Sequence, residues 1–184
     1  VDDDVRVWDA ATGALVWNRN VPQDAHTRVP GYGFSSSPLV NANHVIVFTS
    51  GAEDKSVIAY DRLTGEIAWH GGRKTSGYSS PQLAMIGGTS QLLMVSNFGM
   101  QAFQAEDGIL LWEHPWAIGT NPRCVQPAVS EGRYVLFGGT GTSGTRLLEI
   151  TRQQDGWRTE EQWTTRRVRP YFNNGVLHKG YYYG

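Results

Sequence analysis

One short unit recurs along this chain, and a chain that repeats one unit is confined to folds that repeat one structural element. The segments VRVWDAATGALVW (5–17), VIAYDRLTGEIAW (57–69) and MQAFQAEDGILLW (100–112) share one layout. An apolar or aromatic run reaches a polar turn that ends in Gly13, Gly65 or Gly108, and Trp17, Trp69 or Trp112 stands four residues later. A fourth copy, LLEITRQQDGWRTEEQW (147–163), keeps Asp155-Gly156 and delays its tryptophan to Trp163. Between these lies a second recurring element: FSSSPLVNANHVIVF (34–48), YSSPQLAMIGGTSQLLMV (78–95) and CVQPAVSEGRYVLF (124–137). Its last copy, FNNGVLHKGYYY (172–183), has Gly175 where the others have Pro38, Pro81 and Pro127.

Each unit thus holds four short strands: one after the proline, an apolar one, one ending at the Asp/Gly turn, and one carrying the tryptophan. A period in the mid-forties with four strands per unit is the pattern of a β-propeller blade. Helical repeats of similar length need a 3.6-residue apolar period, which these segments lack. Asp-x-x-Thr-Gly suits a hairpin turn, because Asp accepts hydrogen bonds from its own downstream backbone and Gly supplies the positive φ that closes the turn. The tryptophan after it reads as a large apolar wedge between neighbouring blades, burying about 150–250 Å². Composition agrees. The 184 residues include 22 Gly and 8 Pro together with 7 Trp, 8 Tyr and 6 Phe. That is a chain of short strands and tight turns, too aromatic for disorder.

The units divide the chain into a half blade (1–20), three whole blades (32–72, 76–115 and 121–165) and a second half blade (171–184). The expected fold is all-β: about four blades' worth of four-stranded antiparallel sheets. Three arrangements satisfy these ends: a four-bladed ring closed on itself, two copies pairing reciprocally into an eight-bladed ring, or an open arc of a longer propeller. Four blades wedged by large tryptophans turn too sharply for self-closure. A first residue that is Val, and a last strand that stops at Tyr183-Gly184, favour the arc. Residues 171–184 are therefore expected not to pair with 1–20 of the same chain.

The pattern D-x-x-T-G-x-x-x-W, with a strand led by S-S-P, resembles the pyrroloquinoline-quinone-type (PQQ-like) propeller repeat over nearly the whole chain. That repeat occurs in quinoprotein alcohol dehydrogenases and in non-enzymatic, BamB-like outer-membrane assembly lipoproteins. The resemblance implies a seven- or eight-bladed parent and a periplasmic or extracellular setting. Trp8-Asp9 also resembles the closing dipeptide of a WD repeat, but the other units have Tyr60-Asp61, Phe103-Gln104 and Ile150-Thr151, and no Gly-His opens a blade.

A quinoprotein dehydrogenase of this resemblance stacks its quinone on a ring of two adjacent, disulfide-linked cysteines, beside a calcium ion and an Asp base. Cys124 is the one cysteine here, which also excludes a disulfide framework and a Cys-rich zinc site. Neither quinone nor calcium is expected in this chain. They belong to the alternative reading, a fragment of a quinone-dependent alcohol or polyvinyl-alcohol dehydrogenase.

Other motifs carry blander readings. Gly139 to Gly144 fits G-x-G-x-x-G but leads into another strand, with no helix N-terminus for a pyrophosphate. His26, His44, His70, His114 and His178 lack metal-ligand spacing. Cys124 beside Arg123 reads as an inert, buried thiol. The serines of S-S-P have no His/Asp partners and suit backbone hydrogen bonding at the start of the inner strand.

One set invites a functional reading. The segments that lead each inner strand should converge at the channel entrance: Phe34 and Ser36, Tyr78 and Ser79, Arg123 and Gln126, Phe172 and Asn173. Aromatic, amide and guanidinium groups there suit a small polar or weakly anionic ligand, with Arg166, Arg167 and Arg169 adding positive charge. The plainer reading is inter-blade packing and solvated loops. With 16 basic and 17 acidic residues the net charge of -1 points to no nucleic-acid partner, and no apolar run is long enough for a membrane span. The expectation is a non-catalytic propeller acting as a binding or assembly scaffold. Its partner is a protein or the rest of the ring.

Overall fold

The computed structural model describes residues 3–73, 75–117, 123–139 and 143–184. Strands β1 (Asp4–Trp8) and β2 (Leu15–Asn20) form a two-stranded sheet. The first whole sheet follows, with β3 (Leu39–Val40), β4 (His44–Phe48), β5 (Val57–Asp61) and β6 (Ile67–Gly71) in sequence order. The second holds β7 (Gln82–Ile86), β8 (Thr89–Ser96), β9 (Gly99–Gln104) and β10 (Leu110–Pro115). The third holds β11 (Ala128–Ser130), β12 (Tyr134–Gly139), β13 (Gly144–Gln153) and β14 (Gly156–Thr165). A second two-stranded sheet, β15 (Val176–His178) and β16 (Tyr181–Tyr183), ends the chain. All pairings are antiparallel, and α1 (Val21–Asp24) is the one helix among the described residues. The fold is thus a partial β-propeller, and its two half sheets do not pair with each other.

The turns form as their residues require. Asp9 Oδ1 accepts from the Ala11 and Thr12 N–H groups and the Thr12 hydroxyl at 3.1, 2.7 and 2.7 Å, and Gly13 closes the turn at φ 71°. Asp61 repeats this with Leu63 and Thr64, closing at Gly65 with φ 75°. In each of these hairpins the strand ladder slips by one residue, between Val7/Trp8, Ala59/Tyr60, Leu110/Trp112 and Leu147/Leu148. These bulges fix one slot per unit: Trp17 faces Val7, Trp69 faces Ala59, Trp112 faces Ala102 and Trp163 faces Leu147.

Trp163 therefore occupies the slot of the other three tryptophans, despite its late place in the sequence. The third unit's hairpin runs on to Gln153 and Gly156, so Asp155-Gly156 is not the counterpart of Asp61 and Gly65. The delay is the length of that outgrowth.

Three apolar clusters fill the seams. Trp17 packs with Val45, Val47, Ile58 and Tyr60 of the first whole sheet. Trp69 lies with Ile46 and Val57 of its own sheet and Leu92, Met94 and Phe103 of the next. Trp112 lies with Leu93 and Met100 and, across the seam, Val135, Phe137, Leu148 and Ile150. These three tryptophans are 8%, 8% and 5% exposed, the equivalent buried wedges expected from the repeat. Trp163 is followed by the two-stranded β15–β16 sheet, shares a cleft with it, and is 43% exposed.

Candidate functional site

The segments that lead the inner strands are the place where neighbouring sheets are tied. The Ser37 N–H donates to Ser80 Oγ at 2.8 Å across the first seam. The Ser79 hydroxyl donates to the Val125 carbonyl at 2.9 Å, and the Tyr78 N–H to the Arg123 carbonyl at 2.8 Å, across the second. At the third, the Gln126 N–H donates to Asn174 Oδ1 at 2.9 Å. In the second unit both S-S-P serines, Ser79 and Ser80, bond to backbone groups as the sequence suggested, and they do so between units.

The eight residues singled out from the sequence divide into two groups. Ser79 and Arg123 are fully buried and committed to backbone partners. Gln126 joins them, its side-chain amide also donating to the Pro81 carbonyl at 3.2 Å. Four of the others, Phe34, Ser36, Phe172 and Asn173, face clefts, as does one side of Gln126. Phe34 and Ser36 line a cavity of about 450 Å³ beside β1, together with Tyr32, Asp3 and Val47. Tyr78 stands edge-on to Tyr32, with ring centroids 5.7 Å apart. Phe172 and Asn173 line a second cleft of about 350 Å³ with Arg167 and Arg169, where Phe172 stacks on Tyr171 at 4.0 Å. The entrance residues thus lie in separate clefts along the seams.

Arg123 has the most demanding environment. Its guanidinium donates to the Ser96 carbonyl at 2.7 Å and the Trp116 carbonyl at 2.6 Å, over the faces of Trp116 (4.9 Å) and Phe137 (5.5 Å). Burial, with Arg146 nearby, pulls its pKa down to about 10, so it stays charged at neutral pH. Arg146 covers Trp116 at 4.2 Å, and its Nη1 lies 2.9 Å from His114 Nε2. Burial first, and then the Arg146 charge, lower the His114 pKa and keep the ring neutral, an acceptor toward Arg146.

This cation–aromatic cluster went unread in the sequence. A signal for it exists: Arg146 precedes Leu147 where Gln101 precedes Ala102 and Ile58 precedes Ala59, so of the three whole sheets the third alone places a charge there.

Cys124 is partly buried, and its thiol pKa is raised by that burial, so Arg123 next to it does not activate it. Among the described residues no group of three His, Cys, Asp or Glu side chains is placed to hold a metal ion. Of the glycine-rich stretch, 140–142 lie outside the described residues. On either side of it Gly139 faces Gly144 in the β12–β13 ladder, so a strand follows. No helix among the described residues is long and apolar enough to cross a membrane.

A family model described as "Outer membrane protein assembly factor BamB" matches residues 2–183. Among solved structures, BamB from Moraxella catarrhalis superposes with a TM-score of 0.55 at 20% sequence identity. The match covers 97% of this chain and 47% of that one, so the chain spans about half the length of the structure it resembles. No curated protein matches the chain.

Proposed function

Because the chain belongs to the PQQ-like propeller family of the outer membrane protein assembly factor BamB, we propose that it is a non-catalytic propeller scaffold that holds a protein partner during the assembly of outer-membrane proteins. Its place of action on this reading is the periplasm. The observation that carries the proposal is the match over residues 2–183, together with what the blade-leading polar groups do. Ser37, Ser79, Arg123 and Gln126 spend their hydrogen bonds on seams, which builds a rigid surface and leaves no nucleophile–base pair among them. A chain whose one cysteine is Cys124 cannot close the ring on which a quinone would stack in the dehydrogenases of this fold.

Depletion of the protein in its source cell should lower the amount of folded β-barrel proteins in the outer membrane. Unchanged levels would overturn the proposal. Reconstitution with the quinone and calcium, followed by dye-linked alcohol oxidation, should give no turnover above a protein-free control. Turnover would move the chain to the dehydrogenases.

A further inference from the structure

His114 and Arg146 meet across the seam between the second and third whole sheets. The ladders show what stands at these places one seam earlier. His114 faces Met100 as Gly71 faces Val57, and Arg146 precedes Leu147 as Gln101 precedes Ala102. In that earlier seam Gln101 Oε1 accepts from the Arg73 N–H at 3.1 Å. Where one seam has a glycine and an amide, the next has an imidazole and a guanidinium. Only the second pair can change its charge near neutral pH.

Arg146 Nη1 lies 2.9 Å from His114 Nε2. Two N–H donors do not share such a distance, so Nε2 is the acceptor and the ring is neutral. The guanidinium is held from other sides as well. Its Nε donates to Thr164 Oγ1 at 2.9 Å and lies 3.1 Å from Glu161 Oε2. Its face covers Trp116 at 4.2 Å, and the same indole meets Arg123 at 4.9 Å and Phe137 edge-on at 5.2 Å. The Arg146 side chain is only 16% exposed, so it has little room to turn toward water.

Protonation of Nε2 sets a second donor and a second positive charge against this guanidinium. Among the described residues the charged groups that face His114 are Arg146 of β13, Glu161 of β14 and Arg123 of the connection into β11. Glu161 is 42% exposed and already paired with Arg146, so its attraction is screened by water. On the strand of His114 itself, Glu113 is taken up by Arg73 at 2.7 Å. Burial first, and then the Arg146 charge, hold the His114 pKa below its ordinary 6.5.

We propose that His114 makes this seam an acid-sensitive clasp: the neutral ring accepts from Arg146 and ties β10 to β13, and the imidazolium repels it and lets the third sheet loosen from the second. What the clasp releases is the stack around Trp116. There the Trp116 N–H donates to the Phe98 carbonyl at 2.9 Å and the Arg123 N–H to Asn97 Oδ1 at 3.1 Å. Because the folded pKa is lowered, the clasp's contribution is complete above 6.5 and is lost as pH falls through the folded value.

Proton NMR of the His114 ring in the unsubstituted chain should give a titration midpoint below 6.5, and Arg146→Gln should move it upward. A midpoint at or above 6.5 would overturn the proposal. His114→Gln keeps an acceptor and has no charge to gain. The wild-type Tm minus that of His114→Gln should be constant above about pH 7 and fall between about pH 6.5 and 5. A difference that ignores pH would refute the clasp. Hydrogen exchange locates the change. Protection of the Trp116 and Arg123 amides should fall severalfold over the same interval, while the Thr49 N–H, bonded to the Ser56 carbonyl within the first whole sheet, keeps its protection. Equal loss at Thr49 would mean that the whole molecule opens and that no clasp exists. The titration of the unsubstituted chain decides even if a variant fails to fold.

Discussion

Arg123 is fully buried and faces no carboxylate, so its charge is held by two carbonyls and two aromatic faces. Its Nε finds no partner among the described residues, which leaves the two Nη bonds and the two aromatic faces to compensate for lost water. Hydrogen bonds to a charged group contribute about 1.5–3 kcal/mol each, and removing the donor strands two carbonyls. Arg123→Met should therefore cost about 2–4 kcal/mol in chemical denaturation, while Arg152→Met, at an exposed site bonded to Thr89 Oγ1 at 3.1 Å, should stay within about 0.5 kcal/mol. Equal stabilities for the two variants would contradict this account. Asp61 offers a test in pH. Hydrogen bonds from the Thr64 and Leu63 N–H groups lower its folded pKa below 3.8, so its contribution is present above that value and is lost as pH falls through the folded pKa. The Tm difference between the wild type and Asp61→Ala should accordingly be full at neutral pH and shrink toward pH 2. A difference independent of pH would mean that the carboxylate's charge plays no part in holding the turn.

At the scale of elements, the glycine turn and the tryptophan of the preceding sheet form one joint. Gly65 needs its positive φ of 75° and also leaves room for the Trp17 ring, whereas Gly88, in the β7–β8 turn at φ 77°, has nothing within 4 Å of a built Cβ. Gly88→Ala should cost only backbone strain, about 1–2 kcal/mol. Gly65→Ala should cost clearly more, because the ring must move off a contact of 2.7 Å, and the excess should disappear in a Trp17→Ala background. Persistence of that excess without the ring would separate the turn from the wedge. These joints explain why so much of the fold was legible in the sequence. A turn that requires Asp, Thr and Gly, and a slot that requires Trp, leave residue-specific marks at a fixed spacing. The α1 helix left only a start signal, with Asn20 accepting from the Gln23 N–H at 3.1 Å and Pro22 in the first turn. Its four residues are too few for an apolar period, and tertiary contacts hold them: Asp24 accepts from Arg19 at 2.7 Å and from the Tyr60 hydroxyl at 3.1 Å. The entrance segments were legible as a set, but their clefts were not. Whether Ser79 bonds a neighbouring backbone or faces open space depends on the rotation between sheets, which no local pattern encodes.

For the whole molecule, each sheet touches only its neighbours, so stability is distributed much as in a linear array of repeats. The second whole sheet is flanked on both faces, with Leu93 and Met100 in one apolar cluster and Leu92 and Phe103 in another. The β15–β16 hairpin has three residue pairs and exposed Val176, Tyr181 and Tyr183. Opening free energies should follow that order. In hydrogen exchange, β8 and β9 should exchange last, and β15 and β16 should exchange with the earliest amides. Equal protection in β8 and β16 would contradict a stability set by how many neighbouring sheets flank each strand.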